Sequence, residues 1–376
     1  MYRYFLFILF CCFSLSKSRF VPLNNLISAS KKTGKWNHAI SIADEYLVNR
    51  NSLTPQIFSG IMRIYGESGN LGRAIAVLKD MREVGIEPNA YHFGSLIQCC
   101  RLMKQWEMAL EIFGRMGSYK VEPNTVLFNT LISTLGECNQ GSLVPDILDD
   151  MTLKKIPKDS FTYSAAMKAC TSSGMCDYAM KLWDEIKLSE IELNTLTLNA
   201  YLHTCVAGRK WQQIFEVFDA SRTKRILFDA VSYSLVITAC AEMGDYEKAK
   251  FYFDLMNGSE VLMKSSGTDD INTPTRATVV SQHFNKVKRD TGLYNAMIYV
   301  CEKTLRAREA LALIVLMIKE GIKPDSKTFS TAISCCGKTG NAQQALSLFN
   351  RMDELGIEKD TVVYNAMISA LQAEVN

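Results

Sequence analysis

An aromatic residue followed by a small one returns along this chain at a fixed interval. The places are Phe58-Ser59, Phe93-Gly94, Phe128-Asn129, Tyr163-Ser164, Tyr233-Ser234, Tyr294-Asn295, Phe329-Ser330 and Tyr364-Asn365, with Leu198-Asn199 holding the aromatic place once. Every step is 35 residues except Tyr233 to Tyr294, which is 61, one period plus 26 residues. A period of this length outranks every other signal, because it marks units that fold alike and must stack. The same register carries alanine at Ala39, Ala74, Ala109, Ala179, Ala249, Ala310 and Ala345, and methionine at Met81, Met116, Met151, Met256, Met317 and Met352. An Ile or Val closes each unit's second half at Ile86, Val121, Ile156, Ile191, Ile226, Val261, Ile322 and Ile357.

Inside a unit the apolar spacing is helical. In the unit opening at Ser326, Phe329, Ile333 and Cys336 fall at i, i+4 and i+7, one stripe of a first helix. Gly340 and Asn341 break the chain; Ala345, Leu348, Phe349 and Met352 share a face of a second helix, and Gly356 ends it. Each unit is a helical hairpin with two apolar stripes that it cannot bury alone, so the expected fold is an all-α solenoid of stacked helix-turn-helix repeats. A weaker unit precedes the others, with Leu23-Asn24, Gly34 and Ala39 in phase with Phe58-Ser59, Gly69 and Ala74. The chain ends at Asn376 after a first helix expected over Thr361 to Ala373, which would cap the last interface.

The register also disposes of the cysteines. There are twelve and no Cys-x-x-Cys pair, and the four histidines (His38, His92, His203 and His283) are too scattered for zinc spacing. Cys100, Cys170, Cys205, Cys240, Cys301 and Cys336 occupy one place late in successive first helices. Stacked helices lie about 8–10 Å apart, too far for disulfides, so these are expected to be small buried hydrophobes. Trp36, Trp106 and Trp211 share one register, and Trp183 shares another with Phe113, Phe218, Phe253 and Phe349; all are expected in the core. No phosphate-binding glycine loop, deaminase signature or Ser/His/Asp grouping is present, so no catalytic residue, cofactor or metal is expected.

Tetratricopeptide repeats run 34 residues and open with a Trp-x-x-Leu-Gly signature that is absent here. The units TVLFNTLISTLGECNQGSLVPDILDDMTLKKIPKD and SKTFSTAISCCGKTGNAQQALSLFNRMDELGIEKD closely resemble the pentatricopeptide repeat, in its P-type form with pure 35-residue units, over about residues 55 to 376. The resemblance implies a right-handed superhelical solenoid that reads single-stranded RNA, one base per repeat, with the residue after the aromatic and the last residue of the repeat. Those pairs are Ser59 with Asn89, Gly94 with Asn124, Asn129 with Asp159, and Ser164 with Asn194. They continue as Asn199 with Asp229, Ser234 with Asp290, Asn295 with Asp325, and Ser330 with Asp360. By the family's code Ser with Asn favours A, Asn with Asp favours U, and Ser with Asp favours G. The implied target is 5′-A-n-U-A-U-G-U-G-3′, where n belongs to the Gly94 repeat. Asn, Ser and Asp are also favoured helix caps whatever the function.

The formal net charge is only +3, so a nucleic-acid groove would depend on locally placed cations. Arg101, Lys303 and Lys338 at first-helix ends are candidates for phosphate contact, offset by Glu67, Glu137 and Glu242. The expected organisation is an apolar leader at 1–19, a degenerate repeat at 20–54, and six repeats at 55–261. An inserted loop at 262–287 follows, then two repeats and a final helix at 288–376. The insertion is rich in Ser, Thr, Asp, Asn and Gly and reads as a surface loop; the alternative is a partner or RNA contact through Arg276, Lys286 and Lys288. The leader, MYRYFLFILFCCFS, has the form of a secretory signal and is short for a membrane span; the alternative is a buried first helix. A secretory leader on an RNA-binding array full of unpaired cysteines suits a plastid inside the endomembrane system, as in algae with complex plastids, with the mitochondrion as alternative. The implied function is organellar RNA binding that supports processing, stabilisation, splicing or translation, with recruited RNA-processing proteins as further partners and no stable membrane insertion once the leader is removed. The alternative is a protein-interaction scaffold.

Overall fold

The small polar residue that ends one unit starts the next helix. Asn89, Asn124, Asn194, Asp229, Asp290 and Asp325 sit in extended backbone, and each side-chain oxygen accepts a free N–H of the helix that follows. The computed structural model describes residues 23–48, 53–189, 191–223, 226–256 and 287–375. The apolar leader lies outside the described residues, as does the inserted loop apart from Val287.

The chain divides into two compact units, Met1–Pro157 and Lys158–Asn376. The first holds α1 (Leu23–Thr33), α2 (Asn37–Val48), α3 (Pro55–Glu67) and α4 (Leu71–Glu83). It continues with α5 (Ala90–Leu102), α6 (Trp106–Arg115), α7 (Thr125–Glu137) and α8 (Val144–Leu153). The second holds α9 (Ser160–Ser172), α10 (Cys176–Leu188), α11 (Thr195–Ala207), α12 (Trp211–Thr223), α13 (Ala230–Met243) and α14 (Tyr246–Leu255). It closes with α15 (Thr291–Lys303), α16 (Ala307–Lys319), α17 (Ser326–Lys338), α18 (Ala342–Glu354) and α19 (Thr361–Val375). Odd numbers are first helices and even numbers second helices. No strand occurs among the described residues, and the chain is an all-α solenoid of stacked hairpins.

Within each unit, first helices pack on first helices, α1 to α3 to α5 to α7 and then α9 through α19, while each second helix packs on its own first helix and, within its unit, on the next. The repeat register makes the core. Phe58, Phe93, Phe128, Leu198, Tyr294 and Phe329 are fully buried, as are the alanine and methionine registers. Each buried aromatic contributes about 2–3 kcal/mol, repeated down the stack. Tyr364 of α19 departs from the pattern and is half exposed.

The cysteine place lies where first helices turn. Gln105, Met175, Lys210, Asp245, Arg306 and Asn341 donate their N–H to the carbonyls of Cys100, Cys170, Cys205, Cys240, Cys301 and Cys336, closing each helix behind a left-handed residue such as Gly340. These thiols are buried and outside any disulfide, and burial pushes Cys100, Cys240 and Cys301 up to about 12, as inert hydrophobes. Small residues here let helices touch: a Cβ on Gly337 would lie 2.7 Å from Cα of Ala370 on α19. Trp183 is buried and stacked on Tyr201, their centroids 4.4 Å apart, whereas Trp106 and Trp211 are half-buried at the starts of second helices rather than fully in the core.

The insertion leaves the stacking intact. In six other hairpins the closing Ile or Val donates its N–H to the carbonyl five residues back, as Ile322 does to Met317 at 3.0 Å, while Ile191 donates to the Ser189 hydroxyl. Here Val287 donates to Met256 at 3.2 Å, so Val287 does what the period assigns to Val261, a residue outside the described set. Val287 therefore belongs to the repeat and not to the inserted loop. Arg289 then anchors the returning chain. It is buried over the Phe253 ring, with Nη1 2.9 Å from Glu320 and Nη2 donating to the Phe253 carbonyl. Beyond it, α15 packs directly on α13.

Candidate nucleic-acid interface

All eight repeat-end residues are helix caps, and capping decides what chemistry each has left. Asn124 accepts from Leu127 N at 3.0 Å, Asn194 from Thr197 N at 3.0 Å, and Asn89 from Tyr91 N and His92 N. Asp159 accepts from Thr162 N, Asp229 from Ser232 N, Asp290 from Leu293 N, Asp325 from Thr328 N, and Asp360 from Val362 N and Val363 N. The cap consumes one oxygen. An asparagine is then left with its amide nitrogen, a donor, and an aspartate with a second oxygen, an acceptor. One backbone geometry thus presents opposite polarity according to a single atom.

Two of the capping carboxylates, Asp325 and Asp360, are held in the charged form. Burial pushes Asp325 up, but hydrogen bonds from the Thr328 N–H and hydroxyl and from Asn295 outweigh it and hold the group below the usual carboxylate range. Asp360 is lowered by the Ser326 hydroxyl and then by the Val363 N–H.

The residues that follow the aromatic fall into two kinds. Ser59, Ser164, Ser234 and Ser330 turn their hydroxyl protons onto carbonyls of their own helix, at Pro55, Phe161, Val231 and Lys327, and keep lone pairs for an outside donor. The asparagines reach to the next hairpin. Asn199 Nδ2 donates to both Asp229 oxygens at 3.1 and 3.0 Å, and Asn295 Nδ2 donates to those of Asp325 at 3.2 and 3.3 Å. Two of the pairs foreseen in the sequence, 199 with 229 and 295 with 325, are therefore in direct contact. Asn129 belongs to the first unit and Asp159 to the second. Ser59, Ser164, Asn295 and Ser330 are recessed, each less than a tenth exposed. Gly94 has room for a side chain: a Cβ there would meet only Leu127 Cδ1, at 3.5 Å.

Sequence reasoning missed a row of apolar side chains beside these caps. Tyr91, Val126, Phe161, Leu196, Val231 and Val362 stand two residues before the aromatic place, and all are exposed. Val126 is 72% exposed while Phe128 is fully buried. Two residues along a helix is a turn of about 200°, which points the first side chain away from the core stripe. An apolar residue off the stripe in the same register of successive units is the signal that would have found them. The cations proposed from sequence turn out to be paired. Arg101 lies 3.7 Å from Glu137, Lys303 3.4 Å from Glu242, and Lys338 2.8 Å from Glu302, each on the neighbouring first helix.

No curated protein sequence matches the chain. Among solved structures, the pentatricopeptide repeat protein PPR10 from maize is 16% identical, with a TM-score of 0.45; the match covers 94% of this chain and 57% of that one. PPR10 in complex with an 18-nt psaJ RNA element is 17% identical, with a TM-score of 0.46, covering 93% of this chain and 56% of that chain. The PPR domain of Arabidopsis thaliana protein-only RNase P 1 in complex with tRNA is 10% identical, with a TM-score of 0.37, covering 66% of this chain and 98% of that chain. The chain thus spans little more than half of the maize protein's solved chain. Family profiles carry the assignment. The pentatricopeptide repeat domain matches residues 48–102, 76–138 and 181–243, the PPR repeat family 123–172 and 289–338, and the PPR repeat 161–191, 231–261 and 327–357. These matches run over 48–261 and 289–357, well over half of the sequence, and the chain belongs to the pentatricopeptide repeat family.

Proposed function

We propose that this protein binds single-stranded RNA at the N-terminal ends of its first helices, one base per repeat, and acts by occupancy without catalysis of its own. The observation that carries this reading is the repeated pairing of two unlike features. The repeats led by Asn129, Ser164, Asn199 and Ser234 each offer a polar pair, able to bond the edge of a base, beside an exposed apolar side chain (Val126, Phe161, Leu196 or Val231), able to cover its face. A capping role accounts for the last residue of each repeat but not for the exposed apolar row. Ser59, Asn89, Gly94, Asn124, Asn129, Asp159, Ser164 and Asn194 would serve the first four bases. Asn199, Asp229, Ser234, Asp290, Asn295, Asp325, Ser330 and Asp360 would serve the rest.

The test uses the purified full chain and 5′-A-n-U-A-U-G-U-G-3′ against a scrambled RNA of equal composition. Tighter binding of the ordered string is expected; equal affinities would sink the reading and leave the protein-scaffold alternative. Asn199→Ser should shift preference at the fifth base from U toward G by about tenfold, the scale of one base-edge contact. An organellar site of action, a plastid reached through the apolar leader, belongs to the same proposal. Imaging the first ~40 residues, a length that includes this leader, on a fluorescent reporter tests it. Cytosolic fluorescence would remove it.

A further inference from the structure

The two asparagine–aspartate pairs share a third member. Ser232 Oγ donates to Asn199 Oδ1 at 2.6 Å, a shorter approach than the 2.9 Å to Asp229 Oδ1, and Thr328 Oγ1 donates to Asn295 Oδ1 at 2.6 Å, against 2.8 Å to Asp325 Oδ1. Each hydroxyl is the third residue of the following first helix, and each accepts the N–H of its own capping aspartate, Asp229 or Asp325. The result is a closed circuit in which backbone N–H bonds hydroxyl, hydroxyl bonds amide oxygen, and amide nitrogen bonds carboxylate. The amide is gripped at both ends. Its oxygen is occupied, and one nitrogen-bound hydrogen remains for a ligand.

A second observation points the same way. Among the eight reading repeats each leading asparagine, Asn129, Asn199 or Asn295, is followed 33 residues later by a hydroxyl, Thr162, Ser232 or Thr328, whereas Asn24 of the degenerate repeat is followed by Ile57. Behind the serines and the glycine that place holds His92, Leu127, Leu293, Val363 and, once, Thr197. A helix cap works with any of these residues. An asparagine amide, which can turn over and exchange donor for acceptor, is held more firmly when a hydroxyl grips its oxygen as the carboxylate grips its nitrogen.

We propose that Ser232 and Thr328 are positioning residues that lock the amides of Asn199 and Asn295 with the nitrogen outward, so that these repeats select U over C. The proposal rests on the base-reading function above. Uracil presents a carbonyl oxygen where cytosine presents an amino group, so an outward amide hydrogen accepts the first and repels the second. Without the hydroxyl, the amide oxygen of Asn295, a residue 8% exposed, is buried without a donor. The carboxylate of Asp325 then holds the amide alone, the amide hydrogen is aimed less firmly at the base, and the preference for uracil weakens.

The experiment measures affinity of the full chain for 5′-A-n-U-A-U-G-U-G-3′ and for the same RNA with C at the seventh or the fifth base. Thr328→Val removes the hydroxyl and keeps the shape. The U-over-C ratio at the seventh base should fall about three- to tenfold, the loss of one oriented hydrogen bond, with the fifth base unaffected. Thr328→Ser should restore the ratio. Thr197→Val removes a hydroxyl that also caps its helix but stands behind Ser164, and should leave every ratio unchanged. Ser232→Ala repeats the measurement at the fifth base, so the test survives if circular dichroism finds Thr328→Val unfolded. An unchanged ratio in the hydroxyl-less variants, or an equal shift in Thr197→Val, overturns the proposal. A wild-type chain indifferent to U and C at both bases fails differently: it removes the base reading itself, and the proposal with it.

Discussion

The two ends of the first helices are built on opposite principles. At their C-terminal ends, charges are satisfied from helix to helix, Lys31 with Glu67, Arg101 with Glu137, Glu242 with Lys303, and Glu302 with Lys338. Cations there also suit the helix dipole, and the glycine and cysteine places let helices come close. At their N-terminal ends the cap uses one oxygen, Asn199 and Asn295 reach across to Asp229 and Asp325, and the hydrogen-bonding capacity that remains lies next to apolar side chains left exposed among the described residues. The difference separates assembly from recognition. One end makes the stack, and the other keeps unspent hydrogen-bonding capacity.

Three substitutions would break or sharpen that contrast. The largest effect is expected from Gly337→Val, because its Cβ would collide with the backbone of Ala370. Overpacking of this kind should cost about 3 kcal/mol, read by urea denaturation, while base preference in the earlier repeats persists. A cost near zero would mean that the close approach of α17 and α19 is not what holds them. Val231→Ser should act the other way round. Losing an exposed apolar cover should weaken RNA binding by about 1 kcal/mol in a titration and leave the melting temperature in place. If stability falls instead, the exposed row belongs to assembly after all. The smallest effect belongs to Lys338→Gln, which breaks a half-exposed ion pair worth about 0–1 kcal/mol. Its RNA affinity should keep the salt dependence of the parent. A slope lower by about one would mean that Lys338 leaves Glu302 for a phosphate, and that both ends take part in binding.

Legibility in the sequence followed periodicity. The hairpins, the fully buried aromatic, alanine and methionine places, and the late cysteines could all be read, because burial repeats with the unit and each position votes several times. The exposed apolar row was periodic too, though broken at Gln56, Gly292 and Lys327, and escaped notice because an apolar residue is first assumed to face a core. The inserted stretch hid a residue of its hairpin: the period points to Val261, outside the described residues, whereas the hydrogen bond to Met256 comes from Val287. Arg289 escaped for a related reason. Its place in the repeat elsewhere holds proline, lysine, leucine or phenylalanine, so nothing in the period marks it as a buried anchor.

By itself, then, the sequence determined the unit, its two helices and the residues that each unit hides, because a repeated hydrophobic pattern has one economical way to be buried. It also nominated the sixteen residues of the reading pairs. Tertiary structure alone decided their polarity. Whether an asparagine offers its nitrogen or its oxygen depends on which atom a neighbouring helix has already bonded, and that neighbour lies some 30 residues away, as Asp229 does from Asn199. The same holds for the cations, whose charge was visible in the sequence but whose partners were not.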